Sequence, residues 1–266
     1  MSLSRPARLV LGLITVAVLA FIYVPLLVVV VNSFNTSLTF GWPPTGFTLE
    51  WWRAAGGNEG VRAALGISVV TALGASAVAL VLGTLIALAL TRHRFFGREA
   101  VSLLVLLPIA LPGIVTGLAL NAAFTDYLGG LTFVSLIVGH STFCIVVIYN
   151  NAAARLRRMG GNLTEASADL GAGPWTTFAL VTLPLMRNGL LAGAVLAFGL
   201  SFDEIIVTTF TAGPGVQTLP LWIFENLFRP QQAPIVNVVA AALVALSVVP
   251  IYLAQRLSGG ATQARR

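Results

Sequence analysis

Glu165-Ala166-Ser167-Ala168-Asp169-Leu170-Gly171, followed by Val181 and Leu183-Pro184, is a polar, helix-capable island between two long apolar stretches. Thr164 can cap a helix that carries Glu165 in its first turn, where the helix dipole favours a carboxylate. Such a helix runs to about Leu170 and closes at Gly171. Pro174 suits the first turn of a second short helix reaching about Leu183, and Pro184 then ends that element. Ahead of the island, Gly160-Gly161-Asn162 interrupts the chain. Two short helices about a glycine turn make a compact knob. Glu165 and Asp169 argue against laying it on an anionic lipid leaflet, so it is a surface for a soluble partner.

The rest of the chain is built for lipid. Of its 266 residues 57% are hydrophobic and 9% charged, where a soluble domain carries about 25% charged residues. A water-soluble chain of this length has no means of hiding so much apolar surface. A bilayer span takes about 20 apolar residues. Six runs meet that length: 9–31, 63–90, 101–124, 128–149, 189–210 and 235–257. The expected fold is therefore an all-α membrane protein, with six transmembrane helices in a single domain, 1–266. The first run, of 23 residues, exceeds the roughly 7–15-residue core of a secretory signal, and no Ala-x-Ala site closes it. It reads as a retained span. Cys144, the sole cysteine, lies inside the fourth run and leaves no disulfide framework and no zinc site.

Arginine placement orients the spans. The N-terminus, 91–100, 150–188 and the C-terminus hold twelve arginines, whereas the opposite segments hold Arg53, Arg62 and Arg229 alone. That asymmetry puts both termini and the loop 152–188 in the cytoplasm. It also accounts for the net charge of +6, leaving little to support nucleic-acid binding. All 15 basic residues are arginine. A Walker A loop needs its lysine on the nucleotide phosphates, so ATP-driven transport by this chain requires another polypeptide to hydrolyse the ATP.

Outside the spans, Trp42-Pro43-Pro44-Thr45-Gly46 and Trp51-Trp52 mix turn formers with aromatics. They read as interfacial anchors, with a lid or an external protein contact as the other reading. Asn35-Thr36-Ser37 matches a glycosylation pattern and is given no weight. Leu221–Phe228 is too short to span and suits a half-helix at the outer surface.

Within the spans, Pro108, Pro112, Gly113 and Gly117 suggest either a kinked helix beside a pathway or ordinary proline-bearing packing. Gly113-x-x-x-Gly117 and Gly189-x-x-x-Gly193 permit close helix approach without naming a partner. Ionisable groups in a span cost about 2.5–3.5 kcal/mol on insertion scales and face protein or water. On a continuous helix Glu204 shares a polar stripe with Ser201, Thr208 and Thr211, while Asp203 shares an apolar face with Gly199, Ile206 and Phe210. Glu204 is thus expected to face an aqueous pathway and Asp203 a helix contact or a polar partner, with Ser201, Thr208 and, second to Glu204, Asp203 the further pathway candidates; a helix-holding role for the acidic pair is the alternative. The pair lies about 21 Å along the fifth span, at 1.5 Å per residue. His140, with no acidic neighbour in sequence, reads as a packed, hydrogen-bonded histidine rather than a proton relay. No motif for covalent catalysis or metal binding is present, so an enzyme is not indicated.

The spacing Glu165-Ala166-Ser167, Gly171, Val181, Leu183-Pro184 resembles the EAA loop of permease subunits of ATP-binding-cassette (ABC) importers, with Ser167 and Val181 as departures of similar size. Leu200 to Phe210, Gly213-Pro214, Thr218-Leu219-Pro220 and Gly139 to Cys144 look like the second permease of spermidine/putrescine importers. The resemblance implies a type I ABC importer permease fold in a bacterial inner membrane. It implies that Glu165, Ala166, Ser167, Asp169, Gly171, Leu183 and Pro184 form the coupling helix and its frame, seated on a cytoplasmic ATPase dimer. It further implies a homologous second permease, a periplasmic or lipoprotein solute-binding protein, and a small charged solute such as a polyamine. No cofactor is then expected in this chain, ATP and Mg residing on the ATPase. An ion-coupled secondary transporter, whose inverted repeats and broken helices are not evident in the sequence, and a structural subunit of a membrane complex are the alternatives.

Overall fold

The computed structural model describes residues 4–38, 41–159 and 162–259. The expected helix breaker Gly160-Gly161, and the terminal Arg265-Arg266, lie outside them. The described residues are predominantly helical and contain no strand, only an isolated bridge between Asn35 and Phe47. The chain divides into two compact units, Met1–Arg62 with Ile223–Leu246, and Ala63–Trp222 with Ser247–Arg266.

The first unit contains α1 (Arg5–Asn32), α2 (Glu50–Gly57) and the start of α12 (Ala233–Gly259). The apolar side chains of α1 are exposed along most of its length, as a lipid-facing helix requires. Beyond it the chain folds around Asn35. Its Oδ1 accepts the backbone N–H groups of Ser37 and Thr45 at 3.1 and 3.2 Å, and its carbonyl accepts Trp51 Nε1–H at 2.9 Å. Phe34 stacks on Trp52, with ring centroids 5.4 Å apart. Trp51 and Trp52 therefore hold this loop from within, and Trp42 is the tryptophan of the segment left exposed.

The second unit holds most of α3 (Glu59–Arg92), then α4 (Arg98–Ala110), α5 (Gly113–Tyr127), α6 (Phe133–Met159), α7 (Asn162–Asp169) and α8 (Pro174–Thr177). A π-helical turn over Phe178–Thr182 follows, then α9 (Leu183–Phe202), α10 (Ile206–Thr211) and the start of α11 (Leu219–Asn226). α3 turns small residues inward at helical spacing, among them Ala72, Ala75, Ala79, Gly83 and Ala87. A Cβ at Gly83 would lie 2.8 Å from Ile148 Cβ and 2.9 Å from the Ile145 carbonyl oxygen of α6. The helix axes approach only because nothing stands there. Phe143, Cys144 and Ile148 of α6 pack with Ala75, Ala79 and Ala197; further along, Tyr149, Ala152 and Leu156 pack with Ala87, Leu90 and Met186.

Several expectations are corrected. The run 101–124 is not one continuous helix: α4 and α5 are bent by 106° about Leu111-Pro112. Leu111 is extended (ψ 148°), as a residue before proline prefers, and Pro112 has no N–H to continue the ladder. The run 128–149 becomes helical only at Phe133 and continues to Met159. The run 189–210 is broken, since α9 stops at Phe202 and α10 begins at Ile206. At its other end it starts earlier than expected. Pro174–Phe202 is one helical stretch of 29 residues, so Pro184 does not end a helix but sits in the first turn of α9. The wide turn just before it accommodates the proline, with Leu183 N–H bonding the Phe178 carbonyl five residues back. Among the described residues, four helices are long and apolar enough to cross a membrane, five if α4 and α5 count as one; the apolar part of α12, Ala233–Leu246, is shorter.

The glycine pairs have partners. A Cβ at Gly117 would fall 2.6 Å from Phe210 Cδ2, and one at Gly113 would fall 3.2 Å from Ile206 Cγ2, so α5 lies against α10. Gly189 and Gly193 face Arg155, Ile148 and Asn151 of α6. Replacing Gly117 with valine should overpack the α5–α10 contact and destabilise the chain by about 1–3 kcal/mol. The check is thermal unfolding in detergent, with Gly66→Ala, where nothing lies within 4 Å, as the unaffected control. A Gly117→Val midpoint equal to the parent's would refute the contact.

Candidate functional site: an exposed knob and an acidic helix break

The island from which the sequence was read folds as two short helices, α7 and α8. α7 begins at Asn162, two residues before the expected cap at Thr164. Its end is where the sequence placed it. Gly171 has φ +77°, which a side chain would strain. Its N–H bonds the Ala168 carbonyl at 2.8 Å, and Ala172 N–H bonds the Ser167 carbonyl at 3.1 Å, the paired bonds of a Schellman C-cap. Ser167 and Thr177 share a hydrogen bond between hydroxyls at 2.9 Å, tying α7 to α8. Arg92, at the end of α3, donates through Nη2 to the buried Thr182 Oγ1 at 2.8 Å and holds the foot of the knob.

The remaining residues of the island point outward. Glu165, Ala166, Asp169, Leu183 and Pro184 are exposed. Leu170 is 89% exposed and Trp175 77%, an apolar tip with carboxylates beside it. A cleft of about 800 Å³ lies under α7, lined in part by Arg92, His93, Arg157, Glu165 and Thr177. The whole is an exposed surface with an apolar tip, an acidic flank and a basic floor.

The second site is the break between α9 and α10. Asp203 N–H bonds the Gly199 carbonyl at 3.3 Å and Glu204 N–H bonds the Ser201 carbonyl at 3.4 Å, closing α9. Glu204 then turns back, and its Oε1 accepts Val207 N–H at 2.9 Å, capping α10. Asp203 is exposed and Glu204 half-buried. Neither carboxylate meets a cation among the described residues, and Glu204 Oε2 takes no hydrogen bond there.

The common stripe expected of Ser201, Glu204 and Thr208 is lost with the helix. Ser201 and Thr208 are buried, and their hydroxyls lie 2.8 and 2.9 Å from the two ring nitrogens of His140, which is wholly buried. The sequence identified His140 as a packed, hydrogen-bonded residue but not its partners, which depend on how α6 meets α9 and α10. The arrangement concentrates negative potential: two carboxylates stand at the C-terminal, negative pole of a helix of 20 residues. Such a pole attracts a cation.

The family described as binding-protein-dependent transport system inner membrane component matches residues 79–261. The spermidine/putrescine transport system permease protein PotC of Escherichia coli (strain K12) is 34% identical over 96% of each chain. The putrescine transport system permease protein PotI of the same strain is 30% identical, covering 92% of this chain and 89% of that one. Among solved structures, a chain of a bacterial ABC transporter involved in the import of the acidic polysaccharide alginate superposes with a TM-score of 0.68 at 14% identity, covering 98% of this chain and 99% of that one. The broken helices, otherwise a mark of ion-coupled carriers, thus occur on an ABC permease fold. The chain belongs to the inner-membrane components of binding-protein-dependent transport systems and is a permease subunit of an ABC importer.

Proposed function

We propose that the chain lines the path of a polyamine, spermidine or putrescine, through a bacterial inner membrane. The carrying observation is the α9–α10 break, where Asp203 and Glu204 stand without a cation at a helix's negative pole. A carboxylate in a partly desolvated passage attracts an amine more strongly than in bulk water. Ser201 and Thr208 belong to this path as the supports of the break. Transport by PotC and PotI of spermidine/putrescine and putrescine supports the same class of solute.

In this reading the whole chain is a single permease domain with six spans, α4 and α5 together making the third and α12 the sixth. Both termini are cytoplasmic, in keeping with the arginine asymmetry. A homologous permease completes the pore, and a solute-binding protein delivers the polyamine from outside. The knob seats Leu170 and Trp175 in a groove of a cytoplasmic ATPase dimer, with Glu165, Ala166, Ser167, Asp169 and Gly171 in the coupling helix and Leu183-Pro184 at its frame. ATP and Mg are bound there, and this chain carries no cofactor; the lack of any lysine supports that division.

Three outcomes are expected. The chain reconstituted alone in liposomes should take up no spermidine, with or without ATP; uptake there would refute the shared pore. Gly171→Val should place a β-branched residue at positive φ, costing about 1–2 kcal/mol. Amide exchange across 162–173 should then quicken by about tenfold, and ATPase coupling should fall while membrane insertion holds. Unchanged exchange and coupling would remove the knob as the dock. Glu204→Gln keeps size and hydrogen bonding but removes charge, so spermidine uptake by the full complex should fall far more than its ATP hydrolysis. Normal uptake by Glu204→Gln together with failed assembly of Asp203→Asn would make the acidic pair structural.

A further inference from the structure

The α9–α10 break is bridged from a third helix. His140, midway along α6, reaches Ser201 on α9 through Nδ1 and Thr208 on α10 through Nε2, at 2.8 and 2.9 Å. The Thr208 hydroxyl proton is already committed, donated to the Glu204 carbonyl at 2.7 Å. Thr208 Oγ1 must therefore accept Nε2–H, and in the neutral ring Nδ1 is then the acceptor of the Ser201 hydroxyl proton. The ring thus sets one arm on each side of the break.

The Nε2 arm runs from the ring through Thr208 to the backbone of Glu204, whose carboxylate is meanwhile held by Val207 N–H. Glu204 is fixed at both ends. Close approach of α6 makes this reach possible. Gly139, beside the histidine, stands where a Cβ would come within 3.1 Å of Thr211 on α10, and Phe143, one turn on, packs its ring 5.5 Å from the imidazole. A side chain that only filled space here would need neither a donor nor an acceptor. The imidazole supplies both on opposite edges of a rigid ring, matched to two hydroxyls seven residues apart in sequence.

We propose that His140 is a positioning residue for solute passage: through Ser201 and Thr208 it holds the helix break open, so that Asp203 and Glu204 are presented to a cationic solute. The proposal rests on the reading of that acidic pair as part of the path. His140 does not touch the solute; it acts through Glu204. Its removal therefore costs selective passage of a cation and spares the coupling of the knob to ATP hydrolysis.

The test uses the full complex in proteoliposomes, with this chain, its partner permease, the ATPase and the binding protein. Spermidine uptake is read against ATP hydrolysis stimulated by spermidine-loaded binding protein. His140→Leu should lower spermidine moved per ATP by about tenfold, the worth of one well-made buried hydrogen bond. His140→Gln, which keeps a donor and an acceptor, should recover most of it. In a Glu204→Gln background His140→Leu should add no further loss, because a residue acting through Glu204 is non-additive with it. Equal losses in both backgrounds, or uptake and hydrolysis falling together, would reduce His140 to a packing residue. If His140→Leu does not assemble, Ser201→Ala cuts one arm, keeps the ring, and is judged by the same cycle. Normal uptake by Glu204→Gln alone would overturn the acidic path itself. Impaired uptake by Glu204→Gln beside normal uptake by His140→Leu would overturn the clamp alone.

Discussion

In hydrocarbon no water stands ready to pair a freed backbone group, so every interruption of a helix must be answered by another part of the protein. This chain interrupts two of its apolar helices, and its interior is arranged around the consequences. α10, with six residues, is too short to hold itself together. One of its N-terminal donors, Val207 N–H, is met by the Glu204 carboxylate. At its C-terminus Asn121 Nδ2 donates to the Phe210 carbonyl at 2.7 Å, and Ser135 Oγ donates to the Thr211 carbonyl at 2.9 Å. Two helices, α5 and α6, and Glu204 of the break itself thus contribute to the survival of one short helix. The Glu204 carboxylate is held in place by one of the same bonds.

The second requirement is closeness. Those donors reach their acceptors only because the helices carrying them stand nearly in backbone contact, which glycine and alanine permit and leucine does not. Gly113, Gly117 and Gly139 occupy the positions on α5 and α6 where a Cβ would meet Ile206, Phe210 or Thr211. Small-residue packing and hydrogen bonding are therefore one device. Widening either contact by a methyl group would stretch the bonds that satisfy α10.

What could be read in advance follows the range of the forces involved. The close of α7 was legible at Gly171 because a Schellman turn and its positive φ are set by a few neighbouring residues. Pro112 announced a disturbance, but a 106° bend depends on α5 finding α10, which no local rule contains. The break at Asp203 was missed because Ser201-Phe202-Asp203-Glu204 holds neither glycine nor proline. Its one local sign is the run Ile205-Ile206-Val207-Thr208-Thr209, five β-branched residues of modest helix propensity. Nothing local points to His140, sixty-one residues earlier than Ser201, which bonds both sides of the break. Pro184 misled in the opposite direction, since a wide turn absorbed what proline does to a regular helix.

That wide turn lies on the line joining the two sites. Pro174–Phe202 runs without interruption from the foot of the knob to the acidic break, 29 residues, about 43 Å at 1.5 Å per residue. A helix holds its length because its hydrogen bonds run along the axis, so an axial displacement at α8 arrives at Phe202 little reduced. Rotation and tilt are transmitted less faithfully, because the π turn at Phe178–Thr182 and the missing N–H of Pro184 leave fewer regular bonds there to resist them. Arg92 braces that soft segment by bonding Thr182 from α3, and His140 braces the far end from α6. The helical stretch Pro174–Phe202 is thus supported from a neighbouring helix at each end, by α3 beside its soft turn and by α6 beside its last residues.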